Sequence, residues 1–147
     1  MIPVLQDSFY DADVPPEQQR GNCLSAVVAS LIEVPLNTVP NFVQNNVDHE
    51  GDPTWDWWNC MLDFVKESGF EMRYLRIEND DRSTFPPPSE GEFYAVSGIS
   101  PRNSKIYHIV IYQDGKMVHD PHPSQAGLVE ITDLYHWTII KPGEGNE

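Results

Sequence analysis

Apolar residues recur with helical spacing near the start of the chain, between residues 20 and 34. They fall at i, i+3, i+4, i+7 and i+8, which is one face of an α-helix: Leu24, Val27, Val28, Leu31 and Ile32. Asn22 belongs to the residue types that cap helix starts, and Pro35 is a helix terminator. The pattern therefore predicts a helix that begins at Cys23, so that this cysteine lies in the first turn.

A second helical pattern covers residues 54–70, with Gly69 near its end, and the alternation then changes to a period of two. The later segments that alternate in this way predict six strands: 71–77, 92–99, 105–112, 116–120, 128–131 and 136–140. Helices followed by a strand meander are typical of an α+β fold. We therefore predict one domain, residues 1–147, with N-terminal helices packed on an antiparallel sheet.

The chain is strongly acidic, with 23 Asp and Glu against 9 Lys and Arg and a formal net charge of −14. This charge disfavours binding to nucleic-acid phosphates, which requires clustered basic residues. The N-terminus lacks the basic start and apolar run of a signal peptide, and no stretch is long enough to span a bilayer. We predict a cytoplasmic protein that binds neither nucleic acid nor membrane and keeps both cysteines as free thiols.

The stretch IYHIVIYQDGKMVHDPHPS, residues 106–124, contains an Asp-Gly pair at 114–115 that is typical of a hairpin turn. A two-residue turn would place Asp120 on the sheet face opposite His108. A three-residue loop over 113–115, with its glycine left-handed in a G1 bulge, would instead set His108 directly across from Asp120. Opposed side chains have Cβ atoms about 5 Å apart, within reach of a hydrogen bond. We predict the three-residue loop.

A histidine beside a carboxylate is an oriented base, because the acid holds one ring nitrogen as N–H and stabilises the protonated ring. The second ring nitrogen is then free to serve a thiol. The dipole of a helix N-terminus and a neighbouring imidazolium can lower a thiol pKa from about 8.5 to roughly 3.5–7.5. Cys23, His108 and Asp120 therefore form a candidate nucleophile, base and orienter for covalent catalysis. Cys60, among Trp57, Trp58 and Met61, is interpreted as a packing residue.

These motifs, a cysteine opening an early helix in "GNCLSAVVASLIEV" and the unit "HIVIY" followed by "VHDPHPS", resemble the papain-like cysteine peptidase superfamily. The nearest branch is the bacteriocin-leader, or double-glycine, peptidases. The whole pattern is also similar to small bacteriophage proteins. The resemblance implies a thiol hydrolase that cleaves a peptide, isopeptide or amide bond of a protein or peptide substrate.

The resemblance implies Cys23 as the nucleophile, His108 as general base and acid, and Asp120 as orienter. Papain-like enzymes usually place a glutamine of the oxyanion hole six residues before the cysteine. That position is Glu17 here, and of the two glutamines that follow it we favour Gln18. Arg102, in the turn before the histidine strand, could border the cleft and meet an acidic substrate group.

Four alternatives remain beside this reading. "GNCL" also resembles ovarian-tumour-type deubiquitinases, which usually differ in the spacing after the histidine. A catalytically inactive papain-like scaffold could act as an acidic binding or inhibitor protein, and the charge alone could suit a DNA mimic. The "HDPH" sequence at 119–122 could suggest zinc, which normally requires three or four ligands at recognisable spacing. We predict no metal and no cofactor.

Overall fold

The computed structural model describes residues 1–9, 21–46, 48, 54, 56–76, 90–132 and 135–142. Within these ranges the fold is α+β, with two α-helices, α1 (Cys23–Ile32) and α2 (Asp56–Glu67). Short 3-10 turns at Leu36–Thr38 and Gln44–Asn46 lie between them. No helix in the described part of the chain is long and apolar enough to cross a membrane.

Six strands follow the helices and form one antiparallel sheet. They are β1 (Glu71–Arg76), β2 (Phe93–Ser100), β3 (Asn103–Gln113), β4 (Lys116–His119), β5 (Glu130–Ile131) and β6 (Tyr135–Ile140). Their order across the sheet is β1-β6-β2-β3-β4, and β5 pairs with β2 as a side branch. The predicted meander is wrong in this respect, because β6 inserts between β1 and β2 instead of extending an edge.

The core lies between α1 and one face of the sheet. Eight of the ten residues of α1 are buried, and burial of each Val or Ile side chain stabilises the fold by about 1.5–3 kcal/mol. The sheet contributes alternate residues, as its period of two requires. The buried sheet residues that share the core cluster with α1 are Ala95, Ile109, Ile111 and Trp137. A smaller cluster packs on the other face of the sheet, formed by Tyr94, Val96 and Val110.

The buried Ser30 of α1 binds the N-terminal segment of the chain. The carbonyl of Ser30 accepts the backbone N–H of Ile2 at 3.0 Å, and the Ser30 hydroxyl accepts the backbone N–H of Val4 at 2.9 Å. Further along, the backbone N–H of Gln6 donates to the carbonyl of Pro121 at 2.9 Å. Residues 1–9 therefore run between α1 and the end of β4, and they approach both chain regions that carry the candidate catalytic residues.

Candidate active site

The β3–β4 hairpin closes with a two-residue turn at Asp114-Gly115, so the predicted three-residue loop is wrong. Both residues have positive φ, 51° and 81°, which a type I′ turn requires. The pairing runs in order: Gln113 with Lys116, Tyr112 with Met117, and then Ile111 with His119. Val118 is left as an extra residue, which makes it a β-bulge.

Because of the bulge, Asp120 lies on the same face of the sheet as His108. A regular two-residue hairpin would place it on the opposite face. One extra residue shifts the register of β4 by one and exchanges the two faces of everything that follows. Asp120 therefore lies on the same side of the sheet as Val110 and His108. The observed register carries Asp120 across from Val110, diagonal to His108, so the predicted direct pairing of His108 with Asp120 is wrong. The two side chains still meet, because the extra residue Val118 on β4 keeps them on one face.

His108 and Asp120 form a buried pair. Their side chains are 5% and 0% exposed, and His108 Nε2 lies 2.6 Å from Asp120 Oδ1. Because the pKa of Asp120 is lowered, its carboxylate is an acceptor and Nε2 donates. Nδ1 is therefore the ring nitrogen that is not bound to Asp120.

Asp120 is also the centre of the loop that follows β4. Its Oδ1 accepts the backbone N–H of His122 and its Oδ2 accepts that of Gly127, both at 2.8 Å. The side-chain amide of Gln125 donates back to the Asp120 carbonyl at 2.6 Å. Burial alone would raise the pKa of this carboxyl, but the bonds from His108, His122 and Gly127 and the charge of His108 lower it. A carboxylate with three N–H donors is therefore held ionised and in one orientation.

The pKa of His108 is raised from 6.5 to about 9. Burial is the largest influence and opposes protonation, but the hydrogen bond to Asp120 and hydrogen bonding to Cys23 outweigh it, followed by the charges of Cys23 and Asp120. The Cys23 side chain is thus close enough to the ring to act on its protonation. The arrangement favours an imidazolium at neutral pH.

Cys23 begins α1 as predicted, and its thiol is partly exposed. Asn22 occupies the N-cap position, but its side chain makes no capping bond, so the predicted cap is wrong. Its Oδ1 accepts the backbone N–H groups of Asp7 and Ser8 at 3.1 and 3.0 Å, and its amide donates to the Asp7 carboxylate. The first hydrogen bond of the helix is donated by the backbone N–H of Ala26 to the carbonyl of Asn22. Among the described residues, none accepts the earlier N–H groups of the first turn, so they remain available to an oxyanion.

The other residues singled out in the sequence lie away from the His108–Asp120 pair or outside the described residues. Gln18 and Glu17 lie outside the described residues. Cys60 is exposed on α2, which makes its assignment as a packing residue wrong, and its thiol faces Asn46 Oδ1 at 3.7 Å. His119 points to the other face of β4 and donates from Nε2 to the Val4 carbonyl at 2.7 Å.

Metal ligation finds no support in the described ranges, where no three His, Cys, Asp or Glu side chains are grouped to hold an ion.

His122 is the residue that the sequence reasoning considered only as a metal ligand. Its ring lies edge-to-face against the His108 ring, with centroids 6.3 Å apart, and against the Phe9 ring at 5.2 Å. Its position two residues after Asp120, in an Asp-Pro-His sequence, was the only available signal. The proximity to His108 depends on the turn that Asp120 organises and could not be read from spacing.

The geometry therefore unites a thiol, an imidazole and a carboxylate at the start of α1 and the end of β4. No protein-family model, no curated protein and no solved structure matches this chain, so the assignment of a function rests on this geometry and on the sequence.

Proposed function

We propose that this protein is a papain-like thiol hydrolase, which cleaves a peptide, isopeptide or amide bond through an acyl-enzyme. The observation that carries the proposal is the buried His108–Asp120 pair, whose imidazole also interacts with Cys23 at the start of α1. Nucleophile, base and orienter are the three parts that covalent acyl transfer requires. A central helix whose N-terminus carries the cysteine, packed on an antiparallel sheet, also suits a papain-like arrangement.

The reaction begins with the thiolate of Cys23 attacking the substrate carbonyl carbon. The carbonyl oxygen gains the negative charge, and the free N–H groups in the first turn of α1 stabilise it. The imidazolium of His108 gives its Nδ1 proton to the amine as the C–N bond breaks, which leaves a thioester on Cys23. Water then gives a proton to Nδ1 and its hydroxide adds to the thioester carbon; the C–S bond breaks, which releases the carboxylic acid and restores the thiolate–imidazolium pair.

Asp120 forms and breaks no covalent bond in this reaction. Its carboxylate keeps Nε2 as N–H through every step, so the proton leaves and returns at Nδ1, the nitrogen that serves Cys23. The backbone N–H groups of His122 and Gly127 prevent the carboxylate from turning away as the imidazole changes charge. Asp120 is thus a positioning residue for the acid–base group.

The test compares alkylation of the two cysteines by iodoacetamide between pH 5 and pH 9, read by peptide mass spectrometry. An ordinary thiol loses reactivity about tenfold for each pH unit below about pH 8.5. Exposed Cys60 supplies this reference within the same molecule. We expect Cys23 to be alkylated faster than Cys60 below pH 7, because the imidazolium beside it stabilises a thiolate.

A His108→Gln variant should bring the pH profile of Cys23 close to that of Cys60. Alkylation of Cys23 that is no faster than that of Cys60 below pH 7 would contradict the proposal. A Cys23→Ala variant that retains the full biological effect of the protein would instead support the acidic binding protein, for which the thiol is unnecessary.

A further inference from the structure

We propose that Arg102 and His122, joined through Ser124, form a carboxylate-binding site beside the His108–Asp120 pair. This inference rests on the proposed function and names a substrate class for it, an amide or peptide with a carboxylate near the bond that is cleaved. The three residues come from two separate turns, the β2–β3 connection and the loop after Asp120, which meet at this point.

His122 is held in one orientation and one tautomer. Its backbone N–H is bound to Asp120 Oδ1, and its ring Nδ1 lies 3.0 Å from the backbone nitrogen of Ser124 and 2.9 Å from the Ser124 hydroxyl. A backbone N–H can only donate, so Nδ1 accepts and the neutral ring carries its proton on Nε2. His122 therefore presents one N–H donor next to the His108 ring.

Arg102 is held at the same place by its contact with a neutral group. Its Nη1 donates to the Ser124 hydroxyl at 3.0 Å, and its backbone N–H donates to the Ser100 hydroxyl at 3.2 Å. The chain contains 23 carboxylates for 9 Lys and Arg, yet none of those in the described ranges lies within ion-pair distance of Arg102. The remaining donors of the guanidinium are thus available for a ligand.

The charges at the site suit a single carboxylate. Burial, and then the charge of Arg102, lower the pKa of His122 against the opposing charge of Asp120, and the charge of His108 lowers it further. The site therefore holds one permanent positive charge and one neutral donor. A guanidinium offers parallel N–H groups that match the two oxygens of a carboxylate. The overall charge of −14 repels a distant anion, so selection must act at short range.

The experiment uses two thiol reagents that differ in charge, iodoacetate and iodoacetamide. The measured quantity is the ratio of their alkylation rates at Cys23, divided by the same ratio at Cys60, which corrects for the intrinsic difference between the reagents. We expect this normalised ratio to be roughly three to five at low salt, which corresponds to the free energy of an exposed ion pair. It should approach one in 1 M salt, where the screening length is about 3 Å.

The variants distinguish the effect of the Arg102 charge from that of losing any one positive charge. Arg102→Gln should abolish the preference for iodoacetate, and Arg102→Lys should retain part of it. Lys116→Gln is the matched control, since it removes the same charge from an exposed position at the far end of the hairpin. A normalised ratio near one in the wild-type protein, or an equal loss in Lys116→Gln, would overturn the carboxylate site.

The outcome also distinguishes this inference from the proposed function. A Cys23 that reacts readily at pH 6 but shows no charge preference contradicts only the carboxylate site. A Cys23 that is unreactive at pH 6 contradicts the thiol hydrolase itself. With an active enzyme, paired peptide substrates that differ by Glu or Gln beside the scissile bond should show a higher kcat/KM for Glu, and Arg102→Gln should reduce this ratio.

Discussion

Two histidines in one sheet, the buried His108 and the partly buried His136, have opposite protonation behaviour. His108 on β3 and His136 on β6 both lose solvent on folding, yet the pKa of His108 is raised to about 9 and that of His136 is lowered to about 4. His108 Nε2 donates to Asp120, whereas His136 Nε2 is buried with no hydrogen-bond partner in the described part of the protein. The His136 ring is stacked on Tyr94, with centroids 5.3 Å apart.

The difference shows that burial alone makes a histidine neutral and that a buried anion reverses the effect. Around His136, burial is the only cause of the shift. Around His108, the same penalty is exceeded by Asp120 and Cys23. The protonation of a strand histidine in this fold therefore depends on the carboxylate and the thiol beside its ring, and not on burial alone.

The largest expected effect comes from replacing Asp120 with Asn, which makes His108 resemble His136. The pKa of His108 should fall well below 9, since the neutral amide no longer offsets burial and only Cys23 opposes it. The proposed hydrolase activity should fall about 10³- to 10⁴-fold, as expected when the orienting acid of a triad is lost. Histidine NMR titration and kcat/KM measure the two effects.

The control for this variant is Asp63→Asn, which removes a carboxylate from an exposed position on α2. It should leave the His108 titration and the activity unchanged. An Asp120→Asn protein in which His108 still titrates near pH 9 would show that the acid is not what raises its pKa.

The pH dependence of stability is the next largest effect. Folded His108 binds its proton more tightly than the unfolded chain, so its contribution is complete below pH 6.5 and is lost as the pH rises to 9. Folded His136 binds its proton more weakly, so its contribution is present above pH 6.5 and is lost as the pH falls to 4. Each change is at most about 3 kcal/mol.

Urea unfolding between pH 4.5 and 9 measures both limbs, and we expect maximum stability near pH 6.5. A wild-type curve that stays flat between pH 6.5 and 9 would contradict the assignment of the alkaline limb to His108.

The smallest expected effect is a gain in stability from His136→Phe. Phenylalanine retains the ring that stacks on Tyr94 and removes the buried nitrogen that has no partner. We expect a gain of about 1 kcal/mol at pH 7 and loss of the acid limb. His136→Asn, which keeps a polar side chain without the ring, is the control and should not stabilise the protein. A loss of stability in His136→Phe would indicate that the imidazole makes a favourable contact.

The helices and most of the strands could be predicted because their patterns are local. The 3.6-residue period set α1 at Cys23, and the period of two set the strands to within two or three residues. The place of β6 between β1 and β2 could not be predicted, since alternation along a strand says nothing about its neighbour. Asn22 shows a related limit, because residues 7 and 8 compete for its side chain from a distance in sequence.

The neighbourhood of His108 and Asp120 was predicted, but through an incorrect register. Asp-Gly suits both turn types, and the choice depends on the left-handed φ of Asp114, which other residues of the hairpin determine. Val118 has no sequence feature that marks it as a bulge. The contact was reached because the predicted and observed hairpins each contain one extra residue, which keeps His108 and Asp120 on one face.

The carboxylate of Asp120 orients His108 through Oδ1 and closes its own loop through both oxygens, Oδ1 to His122 and Oδ2 to Gly127. We therefore expect opening of this loop and separation of the His108–Asp120 pair to be one event with one equilibrium constant. The amide protons of His122 and Gly127 should exchange with deuterium only during such openings. Their protection factors thus report the fraction of molecules in which the loop is open and the His108–Asp120 pair is separated.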